Sequence, residues 1–166
     1  AIVELGIASD RVHVISRGVD RGTFYPRPQL PARNALTLPP NRPLLLWVGR
    51  MVPVKGLDVL LRAKASPEVL QSDVLLALVG DGPLRRRLER LARRLGIADR
   101  VIFAGAVDHA ALPDWYAAAD RLVLPSRSEG VPNVLLEGLA SGRPFFASNV
   151  GGIPELTTTQ SDQLPV

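Results

Sequence analysis

The stretch VLLALVGDGPLRRRLERLARRLGIADRVIFAG, residues 74–105, runs from an apolar strand through a turn into a helix and out into a second apolar strand. Residues 74–80 are apolar without interruption up to Gly80, the pattern of a central parallel strand covered on both faces. The turn Gly80-Asp81-Gly82-Pro83 then sets an Asp near the helix cap and a Pro at its first turn. Leu84, Leu88, Leu91 and Leu95 recur at spacings of four, three and four, which is one face of a helix, and Gly96 ends it. Residues 100–105, RVIFAG, read as a strand again.

The same unit repeats on either side. LLLWVG, 44–49, is a continuous apolar strand, and 56–65 carries Leu57, Leu60 and Leu61 on one side of a short helix limited by Pro67. Residues 110–119 form a weaker helix interrupted near its start by Pro113, 120–125 (DRLVLP) a fourth strand, 132–141 a helix and 143–148 (RPFFAS) a fifth strand. Strands alternating with helices predict a parallel sheet in an open, doubly wound, Rossmann-like α/β domain over 44–156. Upstream, RVHVISRGV at 11–19 alternates as a strand does, whereas 24–43 holds prolines at 26, 28, 31, 39, 40 and 43 and reads as a linker or extended wrap. The compact domain is therefore expected to begin near Leu44. The last ten residues, 157–166, are polar and aperiodic, so an irregular tail is expected and the chain reads as a fragment of something longer.

Composition narrows the chemistry. At 166 residues, 46% hydrophobic and 22% charged, the chain has ordinary globular usage and enough length for one core. With no cysteine, a disulfide, a thiolate nucleophile and a cysteine-held metal are all excluded, and only His13 and His109 remain as imidazoles. No apolar run reaches membrane-span length and the start lacks the regions of a signal peptide, so a cytoplasmic location is the expectation. The formal charge of +4 is almost all arginine and favours anionic ligands weakly.

Ligands of such a sheet sit at the carboxyl ends of its strands, beside the point where the winding reverses. Arg50 and Lys55 lie there, one at a strand end and one at the mouth of the next helix, and two converging cations suit a diphosphate. They also read as solvated loop residues. In SEGVPNVLLEG, 128–138, Pro132 suits a first helical turn and leaves the amides of Asn133, Val134 and Leu135 open to an anion. Glu129 precedes that terminus and Glu137 lies roughly 7 to 8 Å down the axis from Pro132. One element then presents a carboxylate, a phosphate cradle and a second carboxylate, spaced for a ligand with a polyol, phosphates and a ribose. Either acid has a plainer role, Glu129 as a turn residue and Glu137 as a solvated helix residue. The arginines at 85, 86, 87, 90, 93 and 94 read as a charged outer face, or as a surface for nucleic acid or acidic lipid. His109, after Asp108, reads as a cap-region residue, and His13 as structural or surface. Tyr25, Trp47, Trp115 and Tyr116 have no stacking-platform spacing, and neither a dinucleotide fingerprint nor a P-loop is present.

These residues, together with ISRGVDRGTFYP (15–26), LLWVGRMVPVKGLDVLLRA (45–63) and VGGIPEL (150–156), resemble the C-terminal, donor-binding domain of retaining GT-B glycosyltransferases. The branch is the large family 4, or glycosyl transferases group 1. The resemblance implies that Arg50 and Lys55 bind the donor diphosphate, Glu129 the hydroxyls of the transferred sugar, and Glu137 the ribose. It implies further that the amides of Asn133, Val134 and Leu135 hold the pyrophosphate and that Ala106 and Val107 lie against the base. Glu129, Arg50 and Lys55 would be the catalytic set in a front-face transfer with retention. No metal and no cofactor is implied, the donor being a UDP-, GDP- or ADP-sugar. The partner implied is an N-terminal acceptor-binding domain of the same protein. No nucleic-acid partner is expected, and the parent has room for peripheral membrane contact. Arg17, where the family commonly has asparagine, and 138–142 depart from the family pattern. The rival readings are a GT-B sugar-nucleotide epimerase fragment and a basic module docking on nucleic acid or membrane through Arg86, Arg90 and Arg93.

Overall fold

The computed structural model describes residues 8, 11–13 and 18–156. Five strands form one sheet: β1 (Leu44–Val48), β2 (Leu75–Val79), β3 (Val101–Gly105), β4 (Arg121–Leu124) and β5 (Phe145–Ala147). Their spatial order is β3-β2-β1-β4-β5, and every neighbouring pair runs parallel. A single antiparallel bridge joins Gly80 to Gly105 just past the β2–β3 ladder, where both glycines have positive φ. The helices are α1 (Gln29–Ala35), α2 (Leu57–Lys64), α3 (Pro67–Gln71), α4 (Arg85–Arg94), α5 (Leu112–Ala118) and α6 (Asn133–Ala140). The predicted doubly wound parallel class is the observed one.

The order explains where a ligand can go. The chain winds outward from β1 through β2 to β3, then returns past β1 to lay down β4 and β5. Right-handed crossovers therefore carry α2, α3 and α4 over one face and α5 and α6 over the other. The reversal falls between β1 and β4, so the loops after Val48 and Leu124 open a crevice at the carboxyl rim. The apolar strands supply the floor beneath it. Every residue of β2 is buried, and Leu44, Leu46 and Trp47 of β1 are buried with them.

The proline-rich segment 24–43 departs from the expected extended wrap, because seven of its residues form α1. Pro28 is the N-cap and Pro31 falls in the first turn, where a helix has no use for the missing N–H. Phe24, Ala32 and Leu38 join the same core as the sheet. The buried guanidinium of Arg33 collects the carbonyls that the prolines leave idle. It donates to Pro40 at 2.6 Å, to Arg42 at 3.0 Å, to Ala118 at 2.9 Å and to the carboxylate of Asp120 at 2.8 Å. Asp120 also accepts from the Leu44 amide at 2.6 Å and from Gln29 at 3.0 Å. Burial pushes this carboxyl up, but those donors outweigh it and hold it below the usual carboxylate range.

Two further prolines start helices. Pro67 limits α2 as expected and also opens α3, while Pro113 lies in the first turn of α5 and leaves that helix uninterrupted. Of the strand expected over 11–19, the described residues 11–13, 18 and 19 are not in a strand, and residues 14–17, Arg17 among them, lie outside the described residues, as does the tail 157–166. Among the described residues no helix is long and apolar enough to cross a membrane.

Candidate functional site

Three loops meet at the carboxyl rim: the 3₁₀ turn Pro53–Lys55 before α2, the segment 125–131 after β4, and 148–152 after β5. Their contact is made through backbone. The Arg127 amide donates to the Val54 carbonyl at 2.8 Å, and the Gly152 amide donates to the Gly130 carbonyl at 3.0 Å. Two glycines allow this approach. Gly56, at φ 65°, would carry a Cβ 2.0 Å from the Pro125 carbonyl oxygen, and Gly151, at φ 57°, one 1.8 Å from the carbonyl oxygen of Glu129. The side chain of Arg127 adds a clamp, donating to the Pro53 carbonyl and to both oxygens of Asp58 at 3.1 and 3.2 Å.

Within this junction the Glu129 carboxylate, only 9% exposed, receives the Lys55 ammonium at 2.6 Å and the Ser126 hydroxyl at 2.6 Å, both on Oε1. The expected cation and the expected sugar-facing acid are thus in direct contact. Arg50, two residues past β1, is exposed, and its side chain has no ion-pair or hydrogen-bond partner among the described residues, while its carbonyl accepts from the Val52 amide at 2.9 Å. The rim continues to β2 and β3 through the Met51 amide on the Asp81 carbonyl at 2.8 Å and the Gly80 amide on the Gly105 carbonyl at 2.7 Å. Ala106, exposed, and Val107, half-buried, follow directly.

Helix α6 begins after Pro132, which caps it without a side-chain bond. The expected cradle of three open amides is corrected to a smaller one, because the Leu135 amide donates to the Pro132 carbonyl at 3.1 Å. The first turn is tight enough to close on itself there. The Val134 amide has no partner among the described residues, and Asn133 has a partner of its own.

Glu137 corrects the reading as a solvated helix residue, for it is 8% exposed. Its Oε2 accepts the Tyr116 hydroxyl at 2.7 Å, and its Oε1 lies 3.5 Å from Nε2 of His109. Tyr116 is fully buried, and burial followed by the adjoining carboxylate pushes its phenol far above the ordinary value. It stays a neutral donor. Phe24 meets both rings edge-on, with centroids 5.7 Å from Tyr116 and 5.2 Å from His109. His109 opens the 3₁₀ turn after Asp108, as a cap-region residue should, but its ring reaches Glu137 as well. Among the described residues no three His, Asp or Glu side chains gather into a possible metal site.

Sequence reasoning places Ser126 and Arg127 on the loop of interest after β4 but not their contacts, and it misses the role of Tyr116 and the His109 contact. Ser126 was the most accessible of these, since a hydroxyl three residues before an acid often bonds locally. Tyr116 gives no such signal, because it sits among the apolar positions of α5. On α4, Arg85 is bound to Asp81 at 3.0 Å, Glu89 at 2.9 Å and the Phe103 carbonyl at 3.3 Å, while Arg86, Arg87, Arg90, Arg93 and Arg94 are exposed.

Comparison with known proteins gives one family. The family described as glycosyl transferases group 1 matches residues 42–166. A D-inositol 3-phosphate glycosyltransferase 2 from Catenulispora acidiphila is 43% identical over 157 residues, covering 89% of this chain and 37% of that protein. The chain spans 36 to 39% of the length of the first curated relatives. Among solved structures, Anabaena HepE in complex with UDP-glucose is 28% identical with a TM-score of 0.77, over 93% of this chain and 43% of that one. The C-terminal domain of a glycosyl transferase group 1 family protein, LpcC from Francisella tularensis, is 26% identical with a TM-score of 0.72, over 84% of this chain and 74% of that one.

Proposed function

We propose, starting from the fact that this chain belongs to the glycosyl transferases group 1 family, that it holds the nucleoside-diphosphate-sugar donor of a retaining glycosyltransferase. The observation that carries the reading is the junction at the switch point, where Lys55, Glu129 and Ser126 meet, with the exposed Arg50 side chain on the same loop as Lys55. The similarity to HepE, a protein solved with UDP-glucose, supports the same reading.

In this reading Arg50 and Lys55 take the diphosphate, helped by the Val134 amide and the positive end of α6. Glu129 accepts from hydroxyls of the sugar. Its contact with Lys55 supports this order, since the sugar adjoins the diphosphate in such a donor. Glu137 accepts from the ribose hydroxyls, and the chain at Ala106 and Val107 lies along the base. During transfer the bond from the anomeric carbon to the β-phosphate oxygen breaks, and its electron pair leaves with the diphosphate. The acceptor hydroxyl oxygen bonds to that carbon on the same face and passes its proton to the departing phosphate oxygen. Arg50 and Lys55 stabilise the charge that grows there. An N-terminal domain of the parent protein brings the acceptor.

Titration calorimetry with uridine, guanosine and adenosine diphosphates and their glucose conjugates tests the assignment. Glu137→Ala should weaken every nucleotide about tenfold or more, since a hydrogen bond to a charged group is worth roughly 1.5 to 3 kcal/mol. Glu129→Ala should reduce only the added affinity of the sugar, and EDTA should change neither result. Equal losses for diphosphate and conjugate in Glu129→Ala would exchange the roles of the two acids.

A further inference from the structure

Glu137 is nearly buried on a helix seated close to β4, for a Cβ on the neighbouring Gly138 would lie 2.6 Å from a Leu122 methyl. Close seating places the backbone, but a glutamate still has three rotatable bonds. A carboxylate useful to a ligand must also be turned the right way. Among the described residues one group does this at hydrogen-bond length, the Tyr116 hydroxyl on Oε2 at 2.7 Å. Oε1 is left on the side of His109, 3.5 Å from Nε2 of a side chain that is itself 67% exposed.

The chemistry of the holding group matters. A lysine or arginine in this place would satisfy the carboxylate with a full positive charge and weaken it as an acceptor for anything else. A phenol donates one proton and leaves the negative charge available to neutral hydroxyls. Tyr116 is itself clamped, with no exposed surface and the Phe24 ring standing edge-on against it. From this geometry we infer that Tyr116 is a positioning residue: it orients Glu137 so that Oε1 of the carboxylate meets a cis-diol, the two ribose hydroxyls of the nucleotide. The inference rests on the proposed nucleotide reading of the site.

A ligand-side comparison separates positioning from mere packing. Uridine diphosphate and its 2′,3′-dideoxy analogue are titrated into the full chain as wild type, Tyr116→Phe, Glu137→Ala and the double variant. Wild type should bind the dideoxy analogue about tenfold more weakly than uridine diphosphate, because only the latter reaches Glu137. Tyr116→Phe should lose about five- to tenfold for uridine diphosphate and less than about twofold for the analogue, and should add nothing in the Glu137→Ala background. Equal losses for both ligands, or no loss for either, would overturn the positioning role while leaving nucleotide binding intact. If wild type binds both ligands alike, the ribose assignment of Glu137 fails, and if it binds neither, the nucleotide reading fails with the inference. Should Tyr116→Phe unfold, a folded Tyr116→Phe/Glu137→Ala variant shows that the phenol is there for the carboxylate. If neither folds, Tyr116 is a packing residue only.

Discussion

Glu129 and Glu137 lie eight positions apart in one segment, yet the fold holds them by opposite means. Glu129 sits in a loop, 9% exposed, against a cation from the loop after β1 and a hydroxyl from its own loop. Glu137 sits on a helix and is held by a neutral phenol from α5. A carboxylate paired to a cation has its charge largely answered before a ligand arrives, and a ligand that needs the cation must draw it away. A carboxylate held by a phenol keeps its charge. In the proposed reading Glu129 is freed to accept the sugar hydroxyls as the diphosphate draws Lys55 away, whereas Glu137 accepts the ribose hydroxyls without losing a partner.

The largest expected effect breaks the Glu129 side alone. Gly151→Ala drives a Cβ to 1.8 Å from the Glu129 carbonyl oxygen at a positive φ, so the two loops must part. A loss of about 3 kcal/mol is expected from thermal or denaturant unfolding, as for other backbone collisions. The Glu137 site should survive, and an unchanged stability would mean that the loops are not held together as described.

Salt sharpens the contrast between the two acids. Tyr116→Phe strands a nearly buried carboxylate and should cost about 2 kcal/mol at any ionic strength. Lys55→Met should cost about 1.5 kcal/mol in dilute buffer and less in 1 M salt, because an ion pair with partial water access is screened. Denaturant melts at the two salt concentrations measure this. A salt-independent loss at Lys55 would sink the distinction.

The smallest effect comes from the other lysine. Lys64 is 3% exposed and its ammonium has no hydrogen-bond partner among the described residues, the reverse of Lys55. Burial first, then the nearby Arg100 and Arg42, hold its pKa below the ordinary lysine value. The unfolded chain therefore keeps this proton more readily than the fold does. Stability should rise as pH climbs from the lowered folded pKa toward the ordinary one, with the full penalty present below that window. Lys64→Met should remove the slope and gain about 1 kcal/mol at neutral pH. A loss of stability instead would show that the ammonium has a favourable role in the fold.

Much of the frame was legible along the chain. The runs at 44–49 and 74–80 needed no tertiary information, because a strand covered on both faces admits only apolar side chains. The leucine spacing of α4 was equally plain. Segment 24–43 reads as a linker or extended wrap because prolines discourage helices in general, yet at a cap or in a first turn they cost little, and only the helix start itself says which case holds. The site divided the same way. Arg50, Lys55, Glu129 and Glu137 stood out because the carboxyl ends of strands and a helix terminus are identifiable positions in such a sheet. The Leu135 amide did not, because its partner depends on how tightly the first turn closes.

Periodicity, turn residues and the absence of cysteine settle the parallel α/β class and restrict the chemistry to oxygen and nitrogen groups on the rim. These are properties of neighbours along the chain, and local spacing suffices to reveal them. The pairings that set the character of the site join residues far apart: Lys55 with Glu129 across 74 positions, and Tyr116 with Glu137 across 21. Only the strand order, reversing between β1 and β4, and the close seating of α6 on β4 bring those atoms within 3 Å. Strand order and helix seating follow from how the whole core packs, and no window of sequence contains that.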